Sequence, residues 1–212
     1  QEVRTLRAPS LAPDEDRLVK RFLAGLEFKL TRAQRRTLKD IQADLIAPNP
    51  MLRLVQGDVG SGKTVIAAAA AVQALAAGYQ AALMAPTELL AEQHRDNLSR
   101  WFAAVGLPVI TLTGRVTGRE RKQHLQRLRD GEPVMAVGTH ALLQEGVSFA
   151  RLGLVIIDEQ HRFGVHQRLA LLEKGAHQET FPHQLVMTAT PIPRTLAMTL
   201  FADLDVSVID EL

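Results

Sequence analysis

Apolar positions along the 212-residue chain follow two different patterns. Seven short runs, at 51–55, 80–85, 109–113, 134–137, 154–157, 185–187 and 206–209, are mostly continuous rather than alternating, as expected of parallel strands buried on both faces. Helical patterns lie between them: an alanine-rich stretch at 63–77 closed by Gly78, a long one at 89–105 and a charged one at 118–129. Upstream, a helical pattern opens at Asp14 and places Leu18, Phe22 and Leu23 on one face. Thr31 then reads as the N-cap of a helix running to about Ile46, where Pro48 and Pro50 end it. Strands alternating with helices predict an α/β fold with a mostly parallel central sheet flanked by helices. Residues 1–13 carry two prolines and no period, and read as a linker or arm from an upstream domain. Residues 14–212 read as one domain, and the lack of an initial methionine fits a piece of a longer protein. The alanine run reads as ordinary helix filler.

Composition narrows the classes. Hydrophobic residues at 46% and charged residues at 23% exclude a mainly disordered chain. Cysteine is absent, which removes disulfides, thiolate metal sites and cysteine nucleophiles, and fits a reducing, cytoplasmic setting. The longest unbroken apolar stretch, 65–72, falls far short of the ~20 residues that span a bilayer, so no membrane association is expected. Aromatics at 4% disfavour single-strand binding modules built on stacking platforms. A net charge of +2 neither demands nor excludes nucleic acid.

One motif carries explicit chemistry. Gly57, Asp58, Val59, Gly60, Ser61, Gly62, Lys63 and Thr64 match the phosphate-binding loop in full, between an expected strand and an expected helix. Glycines let the backbone wrap close to phosphates, and the following helix points its positive end at the anion. Lys63 is placed to reach the β and γ phosphates, and the Thr64 hydroxyl to ligate Mg²⁺. A second constellation, Asp158 and Glu159, ends the buried run 154–157 at the strand edge where ligands gather in open parallel sheets. Adjacent carboxylates can divide labour, Asp158 holding Mg²⁺ and Glu159 orienting and deprotonating the attacking water.

With Gln160 and His161 completing the acidic box, and with Thr188-Ala189-Thr190 following, the order of motifs resembles the first motor domain of superfamily-two helicases. Ala85-Pro86-Thr87-Glu88-Leu89-Leu90-Ala91-Glu92-Gln93-His94, Val137-Gly138-Thr139-His140-Ala141-Leu142, His161-Arg162-Phe163-Gly164-Val165 and Thr190-Pro191-Ile192-Pro193-Arg194-Thr195 narrow this to the RecG family of branched-DNA helicases. That resemblance implies a RecA-like fold, ATP and Mg²⁺ as cofactors, and branched double-stranded DNA as partner. It also implies a second RecA-like domain and a wedge domain in the same full-length chain, a monomer, and a bacterial, nucleoid-associated location. The resemblance gives Gln34 to the adenine edge, Gln160 and His161 to catalysis, and Thr188 and Thr190 to coupling of hydrolysis to movement. Thr87, Gly114, Gly138 and Thr139 fall to DNA-backbone contacts. The arginine finger of such motors lies in the second domain, so this chain alone is expected to hydrolyse ATP weakly.

The nearest alternative is the motor of transcription-repair coupling translocases. Their usual second Glu is Gln160 here, and their phosphate-loop Phe is Ser61. A phosphate-loop kinase or small-molecule ATPase leaves the segments around Thr87 and Thr188 without a job, and a non-catalytic module leaves Lys63, Asp158 and Glu159 unexplained. The seven histidines lack metal-ligand spacing. The basic residues Arg115, Arg119, Arg121, Lys122, Arg127 and Arg129 fit a DNA contact and a solvated helix face equally well. Trp101 reads as core.

Overall fold

The structure is a computed structural model that describes residues 6–12, 17–158, 170, 173–176, 180–190 and 205–210. Each of the seven apolar runs is a strand: β1 (Leu52–Gly57), β2 (Gln80–Met84), β3 (Val109–Leu112), β4 (Met135–Gly138), β5 (Leu152–Asp158), β6 (His183–Thr188) and β7 (Asp205–Ile209). They form a seven-stranded sheet in the order β3-β4-β2-β5-β6-β1-β7. All six pairings are parallel, so the described sheet is wholly rather than mostly parallel. The helices are α1 (Leu18–Ala24), α2 (Arg32–Ile46), α3 (Lys63–Ala76), α4 (Glu88–Ala103) and α5 (Gly118–Arg129), with a 3₁₀ turn at His140–Leu143. No described helix is long and apolar enough to cross a membrane.

Continuous apolar strands are explained by two cores. Leu83, Val137, Ile156 and Leu185 face a cluster built with α1 to α4. Their chain neighbours Met84, Ala136, Ile157 and Val186 face a second cluster with Leu128 and Leu142. The alanine run proves to be more than filler. Helix α3 lies between the sheet and α1 and α2, and Val65 to Leu75 are all buried. A helix covered on every side packs closely only if its side chains are small, which is the reason for five successive alanines, Ala67 to Ala71. Phe22 and Phe102 close this core edge-to-face at 6.0 Å.

Thr31 caps α2 as expected, through a full capping box with Gln34: Thr31 Oγ1 accepts from Gln34 N, and Gln34 Oε1 accepts from Thr31 N. The described part of the N-terminal arm is docked on the domain. Leu11 is fully buried, the Leu11 N–H donates to the Leu45 carbonyl at 2.8 Å, and Gln73 Nε2 donates to the Leu11 carbonyl at 2.7 Å. His183, at the start of β6, staples the arm to the sheet. Its Nε2 donates to the Pro9 carbonyl at 2.7 Å, and its Nδ1 accepts from the Met51 N–H at 2.9 Å. Burial pushes this imidazole below the ordinary histidine range, opposed by the Pro9 contact and by Asp44. Much of the basic run on and before α5 is internally satisfied. Arg115 pairs with Glu88 and Glu92, Arg127 with Glu132, Arg121 with Gln144 and Arg129 with Gln126.

Candidate active site

Strand β1 ends at Gly57 and α3 begins at Lys63, so residues 58–62 form the turn between them, as the phosphate-loop motif requires. Gly60 and Gly62 hold φ values of +85° and +87°, a region that L side chains rarely adopt. Close packing constrains two glycines further. A Cβ on Gly57 would collide with Ser61 Oγ, and one on Gly62 with Gln34 Nε2. A side chain at either position would force Ser61 or Gln34 to shift. Ser61 Oγ is buried with no partner among the described residues, and Val59 is 84% exposed at the loop tip. An orphaned hydroxyl in a glycine cradle that opens a helix is a donor set suited to phosphate oxygens.

Lys63 Nζ donates to the Gly57 carbonyl at 2.5 Å and to the Asp58 carbonyl at 3.0 Å. Burial lowers its pKa from the usual lysine value, while Asp158 and Asp58 act in the opposite sense. Asp158 ends β5, is 4% exposed, and faces the same cleft as Lys63 and Thr64. This cleft, about 310 Å³, is also lined by Phe28, His94 and Trp101. Trp101, expected in the core, packs half-buried against the first core cluster and also lines the cleft. Among the described residues no three His, Cys, Asp or Glu side chains group as a metal cluster, and Thr64 and Asp158 supply the hydroxyl and the carboxylate of the cleft lining.

Gln34 is 8% exposed, and both ends of its amide are engaged. Oε1 completes the helix cap, and Nε2 donates to the Ser61 carbonyl at 2.8 Å. In this conformation it clamps α2 to the phosphate loop, which is a different engagement from the adenine-edge contact expected of it. Thr188 lies at the end of β6, in register with Gln56 of β1, while its neighbour Met187 pairs with Asp158 of β5. Strand β6 therefore lies between the phosphate-loop strand β1 and the strand β5 that ends at Asp158. Thr188 is 4% exposed and its Oγ1 accepts from Thr190 N at 3.1 Å, whereas Thr190 is exposed. Glu159, Gln160 and His161 lie outside the described residues.

The four expected DNA contacts follow β2, β3 and β4, at the same C-terminal edge but in the other half of the sheet. Thr87 is exposed and caps α4, accepting from Leu90 N at 3.2 Å. The Gly114 N–H donates to Glu88 Oε1 at 2.9 Å. Gly138 ends β4 where a Cβ would meet the Leu112 carbonyl oxygen, and Thr139 is 3% exposed, its hydroxyl accepting from Ala141 N at 3.4 Å. The Thr139 hydroxyl is thus turned to its own backbone.

Sequence reasoning gave no site role to Phe28 or His94, both of which line the cleft. Phe28, 46% exposed, precedes the Gln34 helix and lines the cleft, and His94 contacts Asp158. Phe28 had a faint signal, an aromatic just before a capping box. His94 stood out only as the last residue of the stretch 85–94, and its contact with Asp158 was not legible because that partner lies 64 residues away.

The sequence model of the DEAD/DEAH box helicase family matches residues 31–199. The chain is 62% identical over 195 residues to the ATP-dependent DNA helicase RecG of Haemophilus influenzae, and 60% identical over 197 residues to that of Escherichia coli K12. These alignments cover 92% and 93% of the chain, yet the chain spans only 28% of either relative's length. Among solved structures, RecG bound to a three-way DNA junction superposes with a TM-score of 0.81 at 44% identity, covering 96% of this chain and 27% of that one. The DEAD-box helicase Mss116, bound to ssRNA and UDP-BeF, shares the fold alone, with a TM-score of 0.72 at 19% identity over 97% of this chain and 48% of that one.

Proposed function

The chain belongs to the DEAD/DEAH box helicase family, and from that premise we propose that it is the nucleotide-binding first motor domain of a RecG-type ATP-dependent DNA helicase. The observation that carries the reading is the complete glycine cradle of residues 57–64 opening on the cleft that also holds Asp158. The RecA-like sheet supports it, since β1, β6 and β5 bring Lys63, Thr188 and Asp158 to one edge. Similarity at about 60% identity to RecG helicases favours this family over a coupling translocase or a small-molecule kinase. The proposed partner is branched double-stranded DNA, and translocation belongs to the longer chain of which such a domain forms a part.

The proposed roles draw on this geometry for Lys63, Thr64 and Asp158, and on the family resemblance for the other residues. Backbone N–H groups of the cradle and the positive end of α3 receive the phosphates of ATP. Lys63 exchanges its two carbonyl acceptors for phosphate oxygens. Because burial disfavours its lone charge, an anion in the cleft is the partner that most relieves it. Thr64 and Asp158 are the residues that would hold Mg²⁺, whose chemistry when bound is to neutralise phosphate charge. Glu159 orients and deprotonates the attacking water, Gln160 and His161 complete the box, and Thr188 and Thr190 carry the nucleotide state towards the DNA-facing loops. Thr87 and Gly114, both exposed, present that face to DNA phosphates without reading sequence, and Gly138 and Thr139, both buried, hold the turn behind it at the end of β4.

Fluorescent ADP and ATP titrations against wild type and Lys63→Ala test the assignment. Removing a charge-assisted phosphate contact should weaken ATP by about 10–100-fold, corresponding to roughly 1.5–3 kcal/mol. Equal ATP affinity for the two proteins refutes it.

A further inference from the structure

The contact between His94 and Asp158 has no role in the reading above. His94 belongs to the buried stripe of α4, whose inward residues are Ala91, His94, Leu98 and Phe102. Its neighbours on that stripe are apolar, and leucine would fill the position without any polar atom to satisfy. The histidine instead sets Nε2 2.5 Å from Asp158 Oδ2, with the two side chains 10% and 6% exposed. An ionised carboxylate only accepts, so the ring nitrogen facing it is the donor. The other ring nitrogen, Nδ1, is buried with no partner among the described residues. Leaving a buried nitrogen unpaired on a core stripe lowers stability. Such departures from consistent packing concentrate at functional sites.

We propose that His94 is a positioning residue for Asp158. By holding Oδ2, it fixes the carboxylate's rotation and leaves Oδ1 as the oxygen offered to a divalent cation in the cleft. The proposal rests on the nucleotide-site reading and adds a residue of the cleft wall that acts through Asp158. A carboxylate already held by a buried donor meets the ion without first losing rotational freedom. Outer partners of ligating side chains act in this way on metal affinity. Because α4 is rigidly packed through Leu98 and Phe102, both fully buried, the donor is itself held in place.

Fluorescent ADP titrations of the 212-residue chain, in chelator and across a Mg²⁺ series, test the proposal without any turnover. Wild type should bind ADP more tightly with Mg²⁺. His94→Leu should need about 10–100-fold more Mg²⁺ for that enhancement, with metal-free ADP affinity within about twofold of wild type. His94→Gln, which carries an N–H donor at a reach close to that of Nε2, should recover most of the loss. His94→Asn, whose amide is too short, should not. An unchanged Mg²⁺ requirement in His94→Leu overturns the proposal, as does equal loss of metal-free and Mg²⁺-supported affinity without rescue by His94→Gln. Should His94→Leu fail to fold by circular dichroism, the two amide variants decide, and equal Mg²⁺ dependence in both overturns it. Wild type without Mg²⁺-dependent ADP binding would instead bring down the nucleotide-site reading itself, a result seen before any variant is made.

Discussion

Alanine at position 62 should destabilise the domain through two separable causes. Gly62 sits at φ +87°, where an L side chain costs about 1–2 kcal/mol. Its new Cβ would also collide with Gln34 Nε2, so the amide must withdraw and abandon the 2.8 Å bond to the Ser61 carbonyl. That bond contributes about 0.5–1.5 kcal/mol net. The sum is roughly 1.5–3.5 kcal/mol, a fall in Tm of roughly 3–14 °C for a domain of this size. A double-mutant cycle separates the causes by urea denaturation. In a Gln34→Ala background the clash and the bond are both gone, so Gly62→Ala should cost only the backbone strain, about 1–2 kcal/mol. The difference between the two backgrounds, about 0.5–1.5 kcal/mol, measures the clamp between α2 and the phosphate loop. Equal cost in both backgrounds would show that Gln34 does not press on Gly62. No cost in either would refute the left-handed conformation.

Two further outcomes are expected from buried polar contacts. Arg53 on β1 donates to Asp44 of α2 at 2.7 Å and to Ser207 of β7 at 2.9 Å, its side chain 12% exposed. Arg53→Met should lower stability by about 1–3 kcal/mol by stranding Asp44, and Arg53→Lys should restore less than half, since one ammonium does not span both acceptors. Thermal melts of the three proteins check this, and full rescue by lysine would contradict the two-armed geometry. His183 has a lower pKa folded than unfolded, so as pH falls the unfolded state takes up the proton first. Its contribution is whole above about pH 6.5 and is lost as pH falls through the lowered folded value. Urea midpoints should drop between about pH 7.5 and 5.5 in wild type and drop less in His183→Asn. The same slope in both would dismiss His183 as the source.

What the chain alone determined is what neighbouring residues decide. Seven apolar runs became seven strands, and residues 63–77 and 118–129 became helices, because period and turn chemistry act within a few positions. The cap at Thr31 and the phosphate loop belong to the same class, each completed within eight residues. Tertiary structure decided what depends on packing between distant segments. Strand order separates the β5-β6-β1 half, which carries Asp158, Thr188 and the phosphate loop, from the β3-β4-β2 half that carries Thr87, Gly114 and Thr139. It set Gln34 against Ser61, 27 residues away, and His94 against Asp158, 64 residues away. It docked the arm through Leu11, and it gave the alanines of α3 their purpose by burying that helix on every side. A side chain's type shows what it can bond. Only the fold, by burying it and bringing a partner within 3 Å, decides which bond it makes.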